Sequence, residues 1–328
     1  MPGSSLERPK MAVKSSVTGT IPQITVLSCK SLRRYASTPQ SVKTCPGKPL
    51  LAVAGRYLQL WSMATEQMEK KLWTGEQQLI SLEFSADGRL LFAAELEGKV
   101  RQYDVRTGEK RTTLGRRSWG LFPDRVRDIC SLFGRSKLAV ASDTSNIRIF
   151  DISSGDVTHV LDWHQTSLLS KLGRKTVKLS SSRDGFLASG GADGTVSVFE
   201  KGGFEKRFHK TIGRGEITAL EFSHNGEFLA VADARGKVCL LKSPDFEVVQ
   251  ELKHPSVTKA VSFSHDMRLL ATGATDSQIR LFYLNNGKEL EKLSHHAGGI
   301  LDLDFDDSEP KLVSVGNDRR LFVTYLRW

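Results

Sequence analysis

Apolar and polar residues alternate with period two in short runs along most of this chain, and polar turns separate the runs. The stretch Pro255 to Leu293 shows the pattern most fully: VTKAVSF, a polar turn, LLATGA, a tight turn carrying Asp276, IRLFYL, an Asn-Asn-Gly turn and a fourth short run. Period-two alternation, punctuated by Gly, Asn and Asp about every 8 to 12 residues, marks antiparallel strands joined in a meander. The spacing therefore predicts a four-stranded sheet.

The same order recurs along the chain. Stepping from Phe282 to the matching position of each similar run gives Trp61, Tyr103, Phe150, Phe199, Leu241, Phe282 and Thr324, with gaps of 42, 47, 49, 42, 41 and 42 residues. The first turn of the unit returns as FSADG around Asp87, SSRDG around Asp184, FSHNG around Asn225 and FSHDM around Asp266. Where Asp or Asn precedes Gly, the pair supplies the positive-φ residues that a two-residue hairpin demands. A four-stranded sheet cannot cover both its faces, so seven of them must stack, and radial stacking leaves no long free edge. The last copy stops after its third strand at LFVTYL, and an unmatched run, Ile24 to Cys29, precedes the first full copy near Val42. That N-terminal run is predicted to supply the missing fourth strand. The expected architecture is all-β: one seven-bladed β-propeller over residues 22–328, behind a basic flexible tail at 1–21.

The period, the FSxDG-like turns and the aromatic-acid pairs Tyr103-Asp104 and Phe150-Asp151 resemble WD40 repeats, from about residue 22 to Trp328. Blades of that family often carry a hydrogen-bonded set of His, Ser or Thr, Asp and Trp. The resemblance maps this set onto His254, Thr272, Asp276 and Phe282 in one blade, and onto His296, Ser314 and Asp318 in the last, where Thr324 stands in place of Trp. Another blade keeps Ser189 and Asp193 without a clear His, and the next has Arg235 where Asp would sit.

Composition narrows the class. The 328 residues carry 47 Lys and Arg against 37 Asp and Glu, a formal charge of +10, with 39% hydrophobic residues. Disordered and collagen-like chains are excluded, and no apolar run approaches the roughly 20 residues of a bilayer span, so membrane insertion is not expected. Cys29, Cys45, Cys130 and Cys239 lie far apart, forming neither a disulfide framework nor a zinc pattern, which points to a reducing compartment. Residues 1–45 are basic, acid-poor and Ser-rich without an apolar h-region. They read as a basic tail; a mitochondrial transit peptide is the second reading, so a cytoplasmic or nuclear location is expected ahead of a mitochondrial one.

Catalysis needs one assembled site, whereas His254 with Asp276 and His296 with Asp318 repeat one relation in successive units, as a structural network does. Asp302, Asp304, Asp306, Asp307 and Glu309 run along a strand into a turn and read as a solvated loop rather than a cation site. No Gly-rich loop opens a helix after a strand. No enzyme activity, cofactor, metal or small-molecule substrate is expected.

The two long gaps place extra residues between successive sheets, at GRRSWGLFPDRVRD and DWHQTSLLSKLGRKTVK. With the next connection, FHKTIGRGE, they bring Arg116, Arg117, Trp119, Arg125, Lys171, Arg174, Lys175, Lys210 and Arg214 to one face, diluted by Glu95, Glu97, Asp143 and Asp193. Basic side chains interleaved with aromatics suit RNA, through phosphate neutralisation and stacking, and equally an acidic protein segment. A second feature is YDVR, Tyr103 to Arg106. It resembles the WDxR box with which some WD40 receptors dock on the adaptor of cullin-RING ubiquitin ligases, a resemblance that implies Arg106 as the contact. The sequence thus predicts a non-catalytic scaffold binding other proteins, in a ribonucleoprotein or its assembly machinery, or alternatively in a protein-only complex such as a ligase receptor.

Overall fold

A computed structural model describes residues 24–72, 77–114, 125–132, 136–143, 146–162 and 176–328. The described residues form strands and turns arranged as seven four-stranded antiparallel sheets. Blades 1 to 6 each run through four consecutive strands, spanning residues 41–72, 79–114, 126–162, 176–211, 217–253 and 258–293. Within a blade the strands are lettered a to d from hub to rim. Blade 7 takes strands a to c from Ile300–Phe305, Lys311–Gly316 and Arg320–Arg327, and its outer strand from Thr25–Arg34 at the start of the chain.

The b strands explain why the sheets must stack. Runs such as LLAVA at Leu50–Ala54 and LLATGA at Leu269–Ala274 are buried at every position, so both faces of the sheet need cover. A strand buried on both faces reads as continuously apolar rather than alternating. The cover comes from neighbouring blades. Seven apolar clusters each draw on two adjacent blades, one of them setting Val42, Val53 and Trp61 of blade 1 against Val313, Leu321 and Val323 of blade 7. The ring is therefore closed.

Register repeats with the sequence period. The seven marker residues of strand c each stand opposite a leucine of strand b: Leu51 with Trp61, Leu91 with Tyr103, Leu138 with Phe150, Leu187 with Phe199, Leu229 with Leu241, Leu270 with Phe282, and Leu312 with Thr324. In blades 1 to 6 a bulge in the c–d pairing falls immediately before the marker, whereas the closing strand of blade 7 shifts register elsewhere. Gly194 and Gly236, at φ 79° and 80°, occupy b–c turns where a Cβ would strike carbonyls of the next blade's entry segment. Only a residue without a side chain takes that conformation at that distance.

The closing strand runs to Arg34, five residues past the Cys29 boundary read from the sequence. Its second half, KSLRR, lies on the rim with most side chains exposed, and a strand wet on both faces carries no alternation to read.

Candidate functional site

The seven a strands line the axis, and their polar residues cross-link blades that share no backbone ladder. Asp128 of blade 3 accepts from Ser81 Oγ of blade 2 (2.7 Å) and from the Leu179 amide of blade 4 (3.0 Å). Phe305 N donates to Ser262 Oγ between blades 6 and 7 (3.2 Å). At the junction of blades 7 and 1, Asp302 accepts from Ser41 Oγ and Val42 N (2.8 and 2.9 Å), and Asp304 from Thr44 N and Oγ1 (2.8 and 2.7 Å). The solvated-loop reading of this acidic run is corrected here. Asp302 and Asp304 seal the ring at the hub and Asp306, also buried, caps its own turn through Ser308; only Glu309 of the run is exposed. Sequence spacing showed that these carboxylates do not converge, but not that a strand facing the axis meets donors on the adjoining blade.

Lys43 sits among Asp304, Glu83 and Glu221 in this channel, at 3.4 Å from Asp304. Burial by itself would lower its ammonium; the surrounding carboxylates override that and hold it well above the ordinary lysine value. Burial pushes Glu83 up to about 7 and Glu221 up to about 8 against the pull of Lys43.

The face bearing the d–a connections and b–c turns carries Arg125, Lys210 and Arg214, all exposed. Arg125 precedes blade 3, while Lys210 ends blade 4 and Arg214 opens blade 5. Arg116, Arg117, Trp119, Lys171, Arg174 and Lys175 lie outside the described residues. Two acids expected to dilute this face are already engaged, Glu95 by Arg101 and Asp143 by Arg127, and Asp193 caps its own turn through Thr195 N (3.0 Å). Arg106 is on the opposite face, in the c–d turn of blade 2, exposed beside a cleft shared with Lys48, Arg89 and Arg111. The structure therefore separates it from the basic rim. Its neighbour Asp104 accepts from Thr107 N (3.0 Å), so the acid of the YDVR run closes the turn.

In blade 7 the His, Ser and Asp of the buried polar set are bonded to one another. His296 Nδ1 is 3.0 Å from Asp318 Oδ2, its Nε2 is 2.9 Å from Ser314 Oγ, and Phe322 packs edge-on with ring centroids 4.7 Å apart. Thr324 lies at the marker position, close to Cys29 Sγ of the closing strand (3.5 Å). Blade 6 differs. His254 Nε2 reaches Thr272 Oγ1 at 3.3 Å and the ring packs on Phe282, but Asp276 has turned to Arg280, Oδ2 to Nη2 at 2.5 Å, leaving His254 Nδ1 without a partner. The expected His254–Asp276 bond is thus replaced by an Asp276–Arg280 pair. In blade 4, Ser189 Oγ is buried without a partner, consistent with the lack of a matching His.

Sequence inspection missed Asp233. In blade 7, Asp318 accepts from the amides of Ala297 and Arg320 (3.0 and 3.1 Å). In blade 5 the corresponding amides, of Arg214 and Lys237, both go to Asp233 (3.0 Å each), two positions ahead of Arg235. The end of strand b lies close enough for a carboxylate there to do the same capping, so the position changed and the chemistry stayed. The detectable signal is an acid at the end of the b strand.

The profile of the family described as "WD domain, G-beta repeat" matches residues 246–282 and 287–323. Each match begins at the outer strand of one blade and ends in the third strand of the next, the offset that leaves one strand to be supplied by the chain's start. The last two blades thus match WD40 repeats, within a ring of seven four-stranded blades. The chain is 27% identical over 289 residues to Actin-interacting protein 1 of Caenorhabditis elegans, covering 74% of this chain and 46% of that protein. It is 25% identical over 292 residues to Apoptotic protease-activating factor 1 of Danio rerio (88% of this chain, 21% of that one) and 30% identical over 143 residues to WD repeat-containing protein 1 of Gallus gallus (41% and 23%). The propeller spans less than half the length of each of these relatives.

Proposed function

We propose that this propeller is a non-catalytic platform that holds other proteins of a larger assembly on its two loop-bearing faces. The observation that carries the reading is how its polar chemistry is distributed. The His, Ser, Asp and Glu side chains of blades and hub are largely committed to fixed internal bonds, while exposed charge sits on turns at the two ends of a rigid ring. Loops on a fixed scaffold carry recognition without disturbing the core. A relative whose name states an interaction with another protein supports the same reading.

Within it, the basic face supports membership of a ribonucleoprotein or its assembly machinery. Arg125, Lys210 and Arg214 are exposed there, and the net charge is +10. Contacts with phosphate backbone release counterions and weaken steeply with salt. Affinity purification of the full chain from a cytoplasmic or nuclear extract, with and without RNase and at two salt concentrations, tests both levels. Protein partners retained in all arms and an RNA-dependent set lost to RNase are expected; no partner in any arm overturns the platform, and partners indifferent to RNase and salt overturn the RNA contact.

Arg106 gives the protein-only version a surface of its own, on the face away from the basic rim. If a cullin-RING adaptor docks there, Arg106→Ala abolishes its co-purification while leaving the RNase-sensitive set unchanged. Retention of the adaptor removes that version.

A further inference from the structure

At the mouth of the channel on the a–b turn face, one position of the repeat recurs around the ring, the residue after the turn's first Ser or Asp, or after Cys45 in blade 1. Blades 1, 2 and 4 place Pro46, Ala86 and Arg183 there. Blades 5, 6 and 7 place His224, His265 and Asp307, and all six residues border the same opening. The turns are fixed from behind: Ser223 Oγ donates to Asn225 Oδ1 (2.8 Å), Ser264 Oγ to Asp266 Oδ1 (2.7 Å), and Ser308 N and Oγ to Asp306 Oδ1 (2.7 Å each).

His224 Nε2 and His265 Nδ1 each stand 3.6 Å from the same oxygen, Asp307 Oδ1, and the three atoms lie within 4.8 Å of one another. A separation of 3.6 Å is too long for a hydrogen bond. It is close to the about 3.3 Å between two ligands of a tetrahedral zinc with bonds of about 2.0 Å. Two imidazole nitrogens with one carboxylate oxygen form a donor set suited to zinc and its neighbours rather than to Mg²⁺ or Ca²⁺, which prefer all-oxygen shells. Of the charged groups bordering the same opening, Asp304 favours a cation there while Lys43 and Arg183 oppose it, so the affinity rests on the three ligands themselves.

We propose that His224, His265 and Asp307 form a binding site for a divalent transition metal, with Zn²⁺ as the reference ion. The site ties blades 5, 6 and 7 together at the channel mouth. Three protein ligands leave one coordination position open toward the face that also carries Arg106, where water or a partner's side chain completes the shell. Nothing in this inference depends on the platform reading, and binding of the bare ion tests it separately.

The test uses the full, tag-free chain stripped with chelator. Zn²⁺ binding is measured by competition with a chromophoric chelator, and Co²⁺ binding by its visible ligand-field absorption. One equivalent of Zn²⁺ per chain is expected, with the intense visible bands of four-coordinate Co²⁺ and a rise in Tm on adding metal. His224→Ala, His265→Ala and Asp307→Asn should each weaken Zn²⁺ binding at least tenfold, and the His224→Ala/His265→Ala double variant should remove it. None of these side chains belongs to the buried core, so the metal-free variants should melt with the metal-free parent, which separates lost binding from lost folding. The proposal fails if the parent binds no stoichiometric metal, or if the double variant binds as tightly as the parent.

Discussion

Blades 6 and 7 are built from the same 42-residue unit and use the same His, hydroxyl and Asp, yet their buried networks differ. In blade 7 the histidine is bonded at both nitrogens, to Asp318 and Ser314. In blade 6 the carboxylate has left His254 for Arg280, and the histidine keeps one long bond to Thr272. The residue that decides is neither His nor Asp. It is the third-strand position occupied by Arg280 in blade 6 and by Phe322 in blade 7, both buried. A buried guanidinium must find a carboxylate, and it outbids a neutral imidazole for the one within reach. Arg101 in blade 2 holds the same repeat position and takes Glu95. A network can therefore be rewired by a residue outside the motif that defines it.

The largest expected effect concerns what blade 7 alone depends on. Removing residues 1–30 strips most of the outer strand from Arg320–Arg327, next to Thr324 and its network. An exposed strand edge is a template for association, so aggregation on expression is expected, and an unchanged elution volume and melting temperature would contradict the role of the closing strand.

Next, His296→Ala leaves Asp318 and Ser314 without their shared partner, and a loss of about 3 kcal/mol is expected in urea unfolding. The matching His254→Ala removes one long hydrogen bond and an already unpaired nitrogen, so about 1 kcal/mol in addition to the lost ring packing is the expected scale. Equal losses in the two blades would mean that ring packing, on Phe282 and Phe322 alike, outweighs the hydrogen bonds.

The comparison sharpens if one blade is given the other's residue. Arg280→Phe should release Asp276 to His254 and raise the histidine's pKa, which burial, aided by Arg280, now holds at about 4. An NMR titration in which the His254 resonance does not move toward higher pH would show that the arginine is not what diverts the carboxylate.

A smaller effect follows in the pH dependence of stability. A histidine whose folded pKa lies below its unfolded value of about 6.5 refuses a proton that the unfolded chain accepts, so stability is lost as pH falls from about 6.5 toward 4. Glu83 and Glu221 act with the opposite sign: their raised values make the folded chain bind more protons, and their contribution declines as pH rises from about 4.5 toward 7 and 8. Above the acid range where Asp276 titrates, the pH-dependent part of the difference between the parent and Arg280→Phe reports the histidine, and it should level off above about pH 7. A constant offset across the whole range would assign the change to packing.

The interaction faces were less legible than the ring that bears them. Arg106 and Arg125 flank one connection in the chain, but alternate turns of a blade emerge at opposite ends, so the fold sends these two arginines to opposite faces. The His224, His265 and Asp307 group was hidden for a related reason. FSHNG, FSHDM and DFDDS draw attention as turn formers, and residues 41 and 42 positions apart meet only when their blades are adjacent around an axis.

Period, turn chemistry and the missing last strand were enough, from the chain alone, to determine seven sheets and their closure. These are local and repetitive properties: alternation with period two sets a strand, Asp-Gly and Asn-Gly set its turn, and a sheet apolar on both faces must be covered. Which carboxylate meets which base was decided only in three dimensions. Asp233 caps amides in place of a missing aspartate, Asp302 and Asp304 seal the hub, and Asp276 follows Arg280. Each choice depends on side chains from strands or blades that sequence spacing does not rank, because a charge buried at a blade interface takes the nearest partner in space.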